Sequence, residues 1–360
     1  MSAQFHALNV RHIHKDTAES VVISFEVPAA LRSTFSFVQG QYLTLRREFD
    51  GIDVRRAYSI CNGVDEEALR VGVRHVANSL FSNWLHRELH VGDAIDVMPP
   101  QGRFYVPLDE HARRHYVGIA VGSGITPILS ILKSVLAREP HSQFTLIYGN
   151  RAQASTMFLD ELADVKDRYM SRFSLHHVFS REFSDLPVRC GRLDQDKVNE
   201  LFDALGMPVA CDHVFVCGPE AVKDAVEAEL RRRAFPDERI HIERFGAPKA
   251  LPIATDAVPS SSARPSGMTR ITMLKDGTSR VFDMQSRHAS VLDAAQDAGL
   301  ELPYSCKSGV CSTCKAKVIK GRTAMVRNFS LDEADITAGF VLTCQCRPLD
   351  ADLVLSFDER

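Results

Sequence analysis

The sequence predicts a multidomain fold: an N-terminal antiparallel β-barrel, an α/β domain on a parallel sheet, and a small C-terminal α+β domain. Three observations carry that expectation. Residues 1–110 hold short β-rich runs punctuated by Gly, Asp, Asn and Pro, whereas residues 111–247 alternate strand-like and helix-like patterns. Beyond a Pro/Ser/Ala-rich stretch at 248–267, which reads as a linker, residues 268–360 run as hairpin, helix and cysteine-rich loop. A chain of 360 residues with net charge −3 is long enough for several cores. Its Lys and Arg are scattered, so no nucleic-acid surface is indicated. No apolar stretch reaches the ~20 residues of a membrane span. The first residues enter a strand pattern without a leader signature, which makes the cytoplasm the expected compartment.

In the first domain the expected strands are Val21–Val27, Tyr42–Leu45, Arg56–Ile60, Leu69–His75 and Ala94–Val97. One helix interrupts them at Leu80–Leu89, with Leu80, Phe81, Trp84, Leu85 and Leu89 as its apolar stripe. Side chains alternate along a strand, so Arg56 and Tyr58 share a face. A cation for a pyrophosphate beside a flat aromatic for a ring system is what a flavin nucleotide needs. An Arg beside a Tyr is also ordinary strand surface. Asn78-Ser79-Leu80-Phe81-Ser82 opens the helix, where free N–H groups either bind phosphate or receive a plain N-cap.

The second domain is read as strand His115–Val121, helix Thr126–Ala137, strands Phe144–Tyr148 and Leu175–Phe179, a helix over Gln195–Leu205 closed by Gly206, strand His213–Cys217 and helix Glu220–Arg232. Between the first strand and helix, Gly122 and Gly124 allow a ligand close to the main chain, and Pro127 suits the first helical turn after Thr126. Cys217-Gly218-Pro219 repeats the arrangement after a later strand. Two glycine turns at strand C-termini of one parallel sheet predict a nucleotide crevice. Arg151 and Arg181, with the Ser180 hydroxyl, stand at strand ends where arginine accommodates a 2′-phosphate, so NADPH is expected over NADH. The plain alternative is two solvated arginines.

In the third domain, Thr269–Leu274 and Ser279–Met284 form a hairpin around Asp276-Gly277, and a helix follows with Ser290 as N-cap, Asp293 at its third position and Gly299 as stop. Then come Cys306, Cys311 and Cys314, with four and two residues between them, and a distant Cys344-Gln345-Cys346. This is the ligand spacing of a plant-type [2Fe–2S] cluster. Gly309 permits the tight turn, and Ser305, Ser308, Ser312 and Thr313 are small groups able to donate to sulfur. A structural zinc site would take two knuckles, each with two to four residues between its cysteines, which Cys344 and Cys346 do not form. Spacing alone leaves the fourth ligand open between those two. Cys61, Cys190, Cys211 and Cys217 read as small buried hydrophobes.

R-x-Y-S at Arg56–Ser59, the glycine turn ending Thr126-Pro127, Y-G-N-R at Tyr148–Arg151, S-R-E at Ser180–Glu182 and C-G-P at Cys217–Pro219 together resemble the ferredoxin–NADP reductase superfamily, here with a plant-type ferredoxin domain fused behind. The resemblance runs end to end. It implies a ferredoxin-reductase-type FAD-binding barrel, an NADP-binding α/β domain and a β-grasp ferredoxin domain. By the same likeness Arg56, Tyr58 and Ser59 would hold FAD, with Arg74 and Ser82 near its phosphates. Gly122, Gly124, Thr126, Pro127, Arg151, Ser180, Arg181, Gly218 and Pro219 would hold NADPH, and Tyr58, Ser59 and Cys217 would be the catalytic residues. The family's L-[ST]-C-Q pattern selects Cys344, giving Cys306, Cys311, Cys314 and Cys344 as the metal ligands. One departure is Asn78-Ser79, where relatives commonly carry two glycines. The implied activity passes electrons from NADPH to FAD to [2Fe–2S] and on to the oxygenase subunits of a multicomponent diiron monooxygenase, met transiently. The competing readings are the reductase of a Rieske-type or ketosteroid oxygenase, and an iron–sulfur carrier or sensor without NADPH turnover.

Overall fold

The computed structural model describes residues 4–207, 211–245 and 268–359. The chain divides into two compact units, Met1–Glu243 and Arg244–Arg360. The expected linker at 248–267 lies outside the described residues. Among the described residues, no helix is long and apolar enough to cross a membrane.

The first unit opens with β1 (His6–Thr17), β2 (Ser20–Glu26), β3 (Tyr42–Phe49), β4 (Ile52–Ser59), β5 (Leu69–Arg74), α1 (Leu80–Arg87) and β6 (Ala94–Gln101). Their antiparallel sheet has the order β4-β3-β6-β1-β2-β5, and a bridge between Ile60 and Val71 brings its two ends together as a barrel. Alternate residues point inward, so Leu8, Ile23, Leu43, Leu45, Val71, Val73 and Val97 make one core. Helix α1 plugs it with Phe81, Trp84 and Leu85. Leu80, expected in that stripe, is 63% exposed. As the first residue after the Ser79 N-cap it sits about 100° round the helix from Phe81, which starts the buried i, i+3, i+4 set.

The same unit continues with β7 (His115–Val121), α2 (Ile125–Arg138), β8 (Gln143–Asn150), α3 (Leu159–Arg168), β9 (Phe173–Phe179), α4 (Gln195–Ala204), β10 (His213–Cys217), α5 (Glu220–Arg232) and β11 (Ile240–Glu243). The sheet is parallel with order β11-β10-β7-β8-β9. The chain winds outward from β7 in one direction, then returns to its other side at β10. Ligands bind at such a switch point, beyond the strand C-termini. Two elements escaped the sequence reading. In α3 only Leu162 and Val165 are buried, too few for a stripe, and β11 is a four-residue edge strand.

The second unit comprises β12 (Thr269–Lys275), β13 (Thr278–Met284), α6 (Val291–Asp297), β14 (Lys315–Lys320), β15 (Thr323–Met325), α7 (Glu333–Thr337), β16 (Phe340–Leu342), β17 (Cys346–Pro348) and β18 (Asp352–Ser356). The five-stranded sheet β13-β12-β18-β14-β16 is antiparallel except where β12 and β18 run together, and β15 pairs with β17 alone. Helix α6 lays Val291, Leu292, Ala294 and Ala295 into the core, the mixed sheet grasping one helix. The hairpin turn has φ of 51° at Asp276 and 70° at Gly277. Two consecutive left-handed residues match the right-handed strand twist, as Asp-Gly predicts. Ser290 caps α6 by accepting the Asp293 N–H at 3.2 Å, and Gly299 ends it at φ 75°.

Candidate functional site

Three groups of residues carry chemistry. On β4, Arg56 is exposed and steadies its guanidinium by donating to the Arg55 carbonyl at 2.8 Å. Tyr58, half-buried on the same face, packs its ring 6.2 Å from Phe81. Burial pushes its phenol above the ordinary tyrosine range, so it presents a neutral ring. Ser59 is buried at the end of the strand. At the opening of α1, Ser79 Oγ accepts the Ser82 N–H at 3.3 Å. The Ser82 hydroxyl accepts the Val76 N–H at 3.1 Å, tying it to the loop before the helix. Asn78 sits at φ 64°, a left-handed position that glycine adopts freely and asparagine tolerates better than most residues. The missing glycine is thus replaced by a residue that keeps the same backbone.

A cavity of about 800 Å³ opens at the C-terminal ends of the parallel strands. Gly122, Arg151, Ser180, Arg181 and Pro219 line it, and so does Arg74 from the barrel. Gly122 has φ 56°, and a Cβ there would meet Arg74 Nη1 at 2.8 Å. From behind, the Tyr148 hydroxyl donates to the Gly122 carbonyl at 3.1 Å. Gly124, Thr126, Pro127 and Gly218, expected at the nucleotide, are not among the residues that line this cavity. A Cβ on Gly124 would stand 2.1 Å from the Cys217 carbonyl oxygen, and one on Gly218 would stand 3.0 Å from Val121 Cβ. Thr126 donates to the Ser123 carbonyl at 3.0 Å.

Arg151 does not stand free: it donates to Glu19 at 3.1 Å, and Arg74 donates to the same carboxylate at 2.8 Å. The Arg74 hydrogen bond holds Glu19 below the usual carboxylate range. Glu19 comes from the β1–β2 turn, and Asp16, near the end of β1, also accepts the Phe158 N–H at 3.1 Å. That turn therefore clasps the α/β half. Cys217 is buried, pairs in register with Glu243 of β11, and has its thiol pushed up by burial. It presents a neutral S–H. Burial likewise raises the Glu243 carboxyl to about 8. Two cavity residues had no sequence signal. Asn150 is buried with its Nδ2 lacking a hydrogen-bond partner, and Arg192 arrives through a loop.

The cysteine loop turns through left-handed residues at Lys307, Gly309 and Ser312. A Cβ on Gly309 would lie 3.1 Å from the Arg327 carbonyl oxygen, so the close approach requires glycine. The four thiols come in two hydrogen-bonded pairs, Cys306 with Cys311 and Cys314 with Cys344. That division suits two irons with two thiolates each. Ser308 N–H donates to the Cys306 sulfur at 3.3 Å, and Gln345 Nε2 lies 3.7 Å from the Cys344 sulfur. The buried Ser308 hydroxyl is turned to the Cys306 sulfur and, after Cys311, helps to lower its pKa. Ser312 departs from expectation: its hydroxyl donates to the Ser330 carbonyl at 3.3 Å and braces the loop. Cys346 is fully buried on β17 in the domain core, with its thiol raised to about 12 by burial.

Residues 8–105 match the model of an oxidoreductase FAD-binding domain, 119–228 an oxidoreductase NAD-binding domain, and 273–349 a 2Fe-2S iron-sulfur cluster binding domain. The chain is 41% identical over 357 residues to a 1,2-phenylacetyl-CoA epoxidase component from Escherichia coli (strain K12), covering 99% of this chain and 98% of that one. It is 33% identical over 359 residues to the ferredoxin reductase component of 3-ketosteroid-9-alpha-monooxygenase from Mycolicibacterium smegmatis (strain ATCC 700084 / mc(2)155), with 98% and 97% covered. Among solved structures it resembles phthalate dioxygenase reductase, with a TM-score of 0.59, 25% identity and 98% of both chains covered.

Proposed function

The chain belongs to the family of flavin and iron–sulfur oxygenase reductases that includes this 1,2-phenylacetyl-CoA epoxidase component, and on that footing we propose that it carries electrons from NADPH through FAD and a [2Fe–2S] cluster to the oxygenase subunits of such an epoxidase, a diiron monooxygenase of phenylacetate degradation. The single observation that carries this reading is that one chain, matched end to end at 41% identity, holds in order the FAD-binding, NAD-binding and cluster-binding domains. We assign residues 1–110 to FAD, 111–247 to NADP and 268–360 to the cluster. Its place is the cytoplasm, where nine free thiols stay reduced.

FAD, when bound, supplies the conversion between a two-electron donor and one-electron acceptors. Arg56 would neutralise its pyrophosphate, and Tyr58, as a neutral ring, and Ser59 would help to hold the flavin. Gly122 and Gly124 would admit the nicotinamide nucleotide to the strand ends, and the buried Cys217 thiol behind them stays protonated and uncharged. Cys306, Cys311, Cys314 and Cys344 would hold the cluster, with a thiolate pair available for each iron. Cys344 is favoured over Cys346 because its thiol meets Cys314, whereas the Cys346 thiol meets Thr323 of β15.

The deciding assay combines this protein, NADPH, O2, phenylacetyl-CoA and the candidate oxygenase subunits. Ring-epoxide formation that requires Cys306, Cys311, Cys314 and Cys344 is the expected result. Brisk electron delivery to a Rieske oxygenase, with none to the diiron enzyme, would move the chain to the ketosteroid-type branch. Failure of NADPH to drive rapid ferricyanide reduction would leave only an iron–sulfur carrier.

A further inference from the structure

We propose that Gln345 is a positioning residue that raises the reduction potential of the [2Fe–2S] cluster, through a hydrogen bond from its side-chain amide to the Cys344 sulfur. This rests on the cluster reading above and names a residue that would tune it. Gln345 Nε2 lies within donating distance of three acceptors: the Lys307 carbonyl at 3.0 Å, the Cys344 carbonyl at 3.0 Å and the Cys344 sulfur at 3.7 Å. Both carbonyls can only accept, so it is the nitrogen of the amide, and not its oxygen, that faces the sulfur. One N–H serves Lys307. The other is left for the carbonyl and sulfur of Cys344.

The side chain is held in that place from several sides. Its backbone N–H donates to the Leu342 carbonyl at 2.8 Å, and its own carbonyl accepts the Val326 N–H at 3.0 Å. A Cβ on Gly309 would stand 3.2 Å from Gln345 Cγ, so the cysteine loop lies directly against the stem of the side chain. Lys307, to which the amide is tied, follows Cys306 in the chain. Gln345 therefore reaches from a member of one thiol pair to the loop that carries a member of the other.

An iron-bound thiolate carries more negative charge when its cluster is reduced, so a donor on its sulfur stabilises the reduced form more than the oxidised form and raises the potential. The Cys306 sulfur has such a donor in the Ser308 N–H at 3.3 Å, which belongs to the backbone. On Cys344 a side chain supplies it, and a substitution can remove it. Gln345 is half-buried, so the contact is partly shielded from water. A cluster of higher potential draws the electron more firmly from a reduced flavin.

Potentiometric titration of the FAD-loaded, cluster-loaded protein, followed by EPR of the reduced cluster and by flavin absorbance, tests this with two variants. Gln345→Leu removes the donor, and Gln345→Glu keeps the shape while turning the donor into an acceptor. Gln345→Leu should lower the equilibrium constant for cluster reduction by about 3- to 10-fold, the worth of one hydrogen bond, which is about 30–60 mV at about 59 mV per decade. Gln345→Glu should lower it further, because it also sets a negative charge beside the sulfur. The flavin potential, read in the same titration, should stay within about 1.5-fold of wild type by the same conversion. A cluster potential that is raised, or unchanged within that margin, in a variant that retains its acid-labile sulfide overturns the proposal. So does a flavin potential that moves as far as the cluster's. Loss of the cluster from both variants would make Gln345 a staple for the Lys307 turn and overturn the proposal as well. A wild type without a [2Fe–2S] EPR signal would instead remove the cluster reading itself.

Discussion

At the scale of single residues, the pair Cys344 and Cys346 shows how little distance separates a ligand from a filler. Both are buried, two positions apart, yet the Cys344 thiol meets Cys314 and the Cys346 thiol, on β17, meets Thr323 of β15. Cys346→Ser should retain acid-labile sulfide and the [2Fe–2S] spectrum at wild-type stoichiometry, whereas Cys344→Ser should lose both. The opposite pattern would transfer the fourth ligand to Cys346. The cysteine spacing was legible because metal ligation fixes residue type and separation together. The two residues themselves could not be told apart by count, since only folding decides which sulfur turns to the loop. Arg151 lines the cavity as its motif suggested, but it also donates to Glu19, 132 positions earlier, a contact no local window registers. Arg192 was invisible because it reaches the cavity from a stretch of irregular backbone.

At the scale of elements, the glycine turn after β7 and the start of β10's exit loop are pressed together through Gly124. A methyl group there would fall 2.1 Å from a backbone carbonyl oxygen, which no side-chain movement relieves. Gly124→Ala should therefore destabilise the first unit by about 3 kcal/mol and abolish nucleotide binding, read by thermal unfolding and by titration with NADPH. The β1–β2 turn offers a milder test. Glu19 is 46% exposed and its Arg151 partner 44%, so the ion pairs are solvent-screened, and Glu19→Gln should cost no more than about 1 kcal/mol at neutral pH. Because hydrogen bonding from Arg74 depresses the folded-state pKa of Glu19, its contribution is present above the ordinary value of 4.5. It is lost as pH falls through the lower folded value. Stability curves of wild type and Glu19→Gln should then converge as pH drops below 4.5. Strong periodicity made most elements readable, and α5 has the bounds Glu220–Arg232 expected from its pattern. The weakly apolar α3 and the short β11 are stabilised by tertiary packing and sheet pairing, which a local window cannot register.

At the scale of the whole molecule, the thiol quartet belongs to a different compact unit from the flavin and nucleotide residues. Cys311→Ser should therefore abolish electron delivery to a protein acceptor while leaving stopped-flow reduction of the flavin by NADPH largely intact. Collapse of flavin reduction in a folded, FAD-loaded variant would refute that independence. The three domains were legible because each has its own periodicity and motif. The oxygenase partner was not, since the residues that hold the carriers need not be those that meet it. The two-by-two pairing of Cys306 with Cys311 and Cys314 with Cys344 has one further consequence, which is a matter of parity. A single cluster of this kind accepts one electron and a flavin two, so one chain fills at about three, an odd number, while its donor gives electrons only in pairs. Anaerobic titration with dithionite should end at about three electron equivalents per chain. No whole number of NADPH molecules can then bring one isolated chain from empty to full, and a chain mid-turnover always has either an electron to spare or a vacancy left.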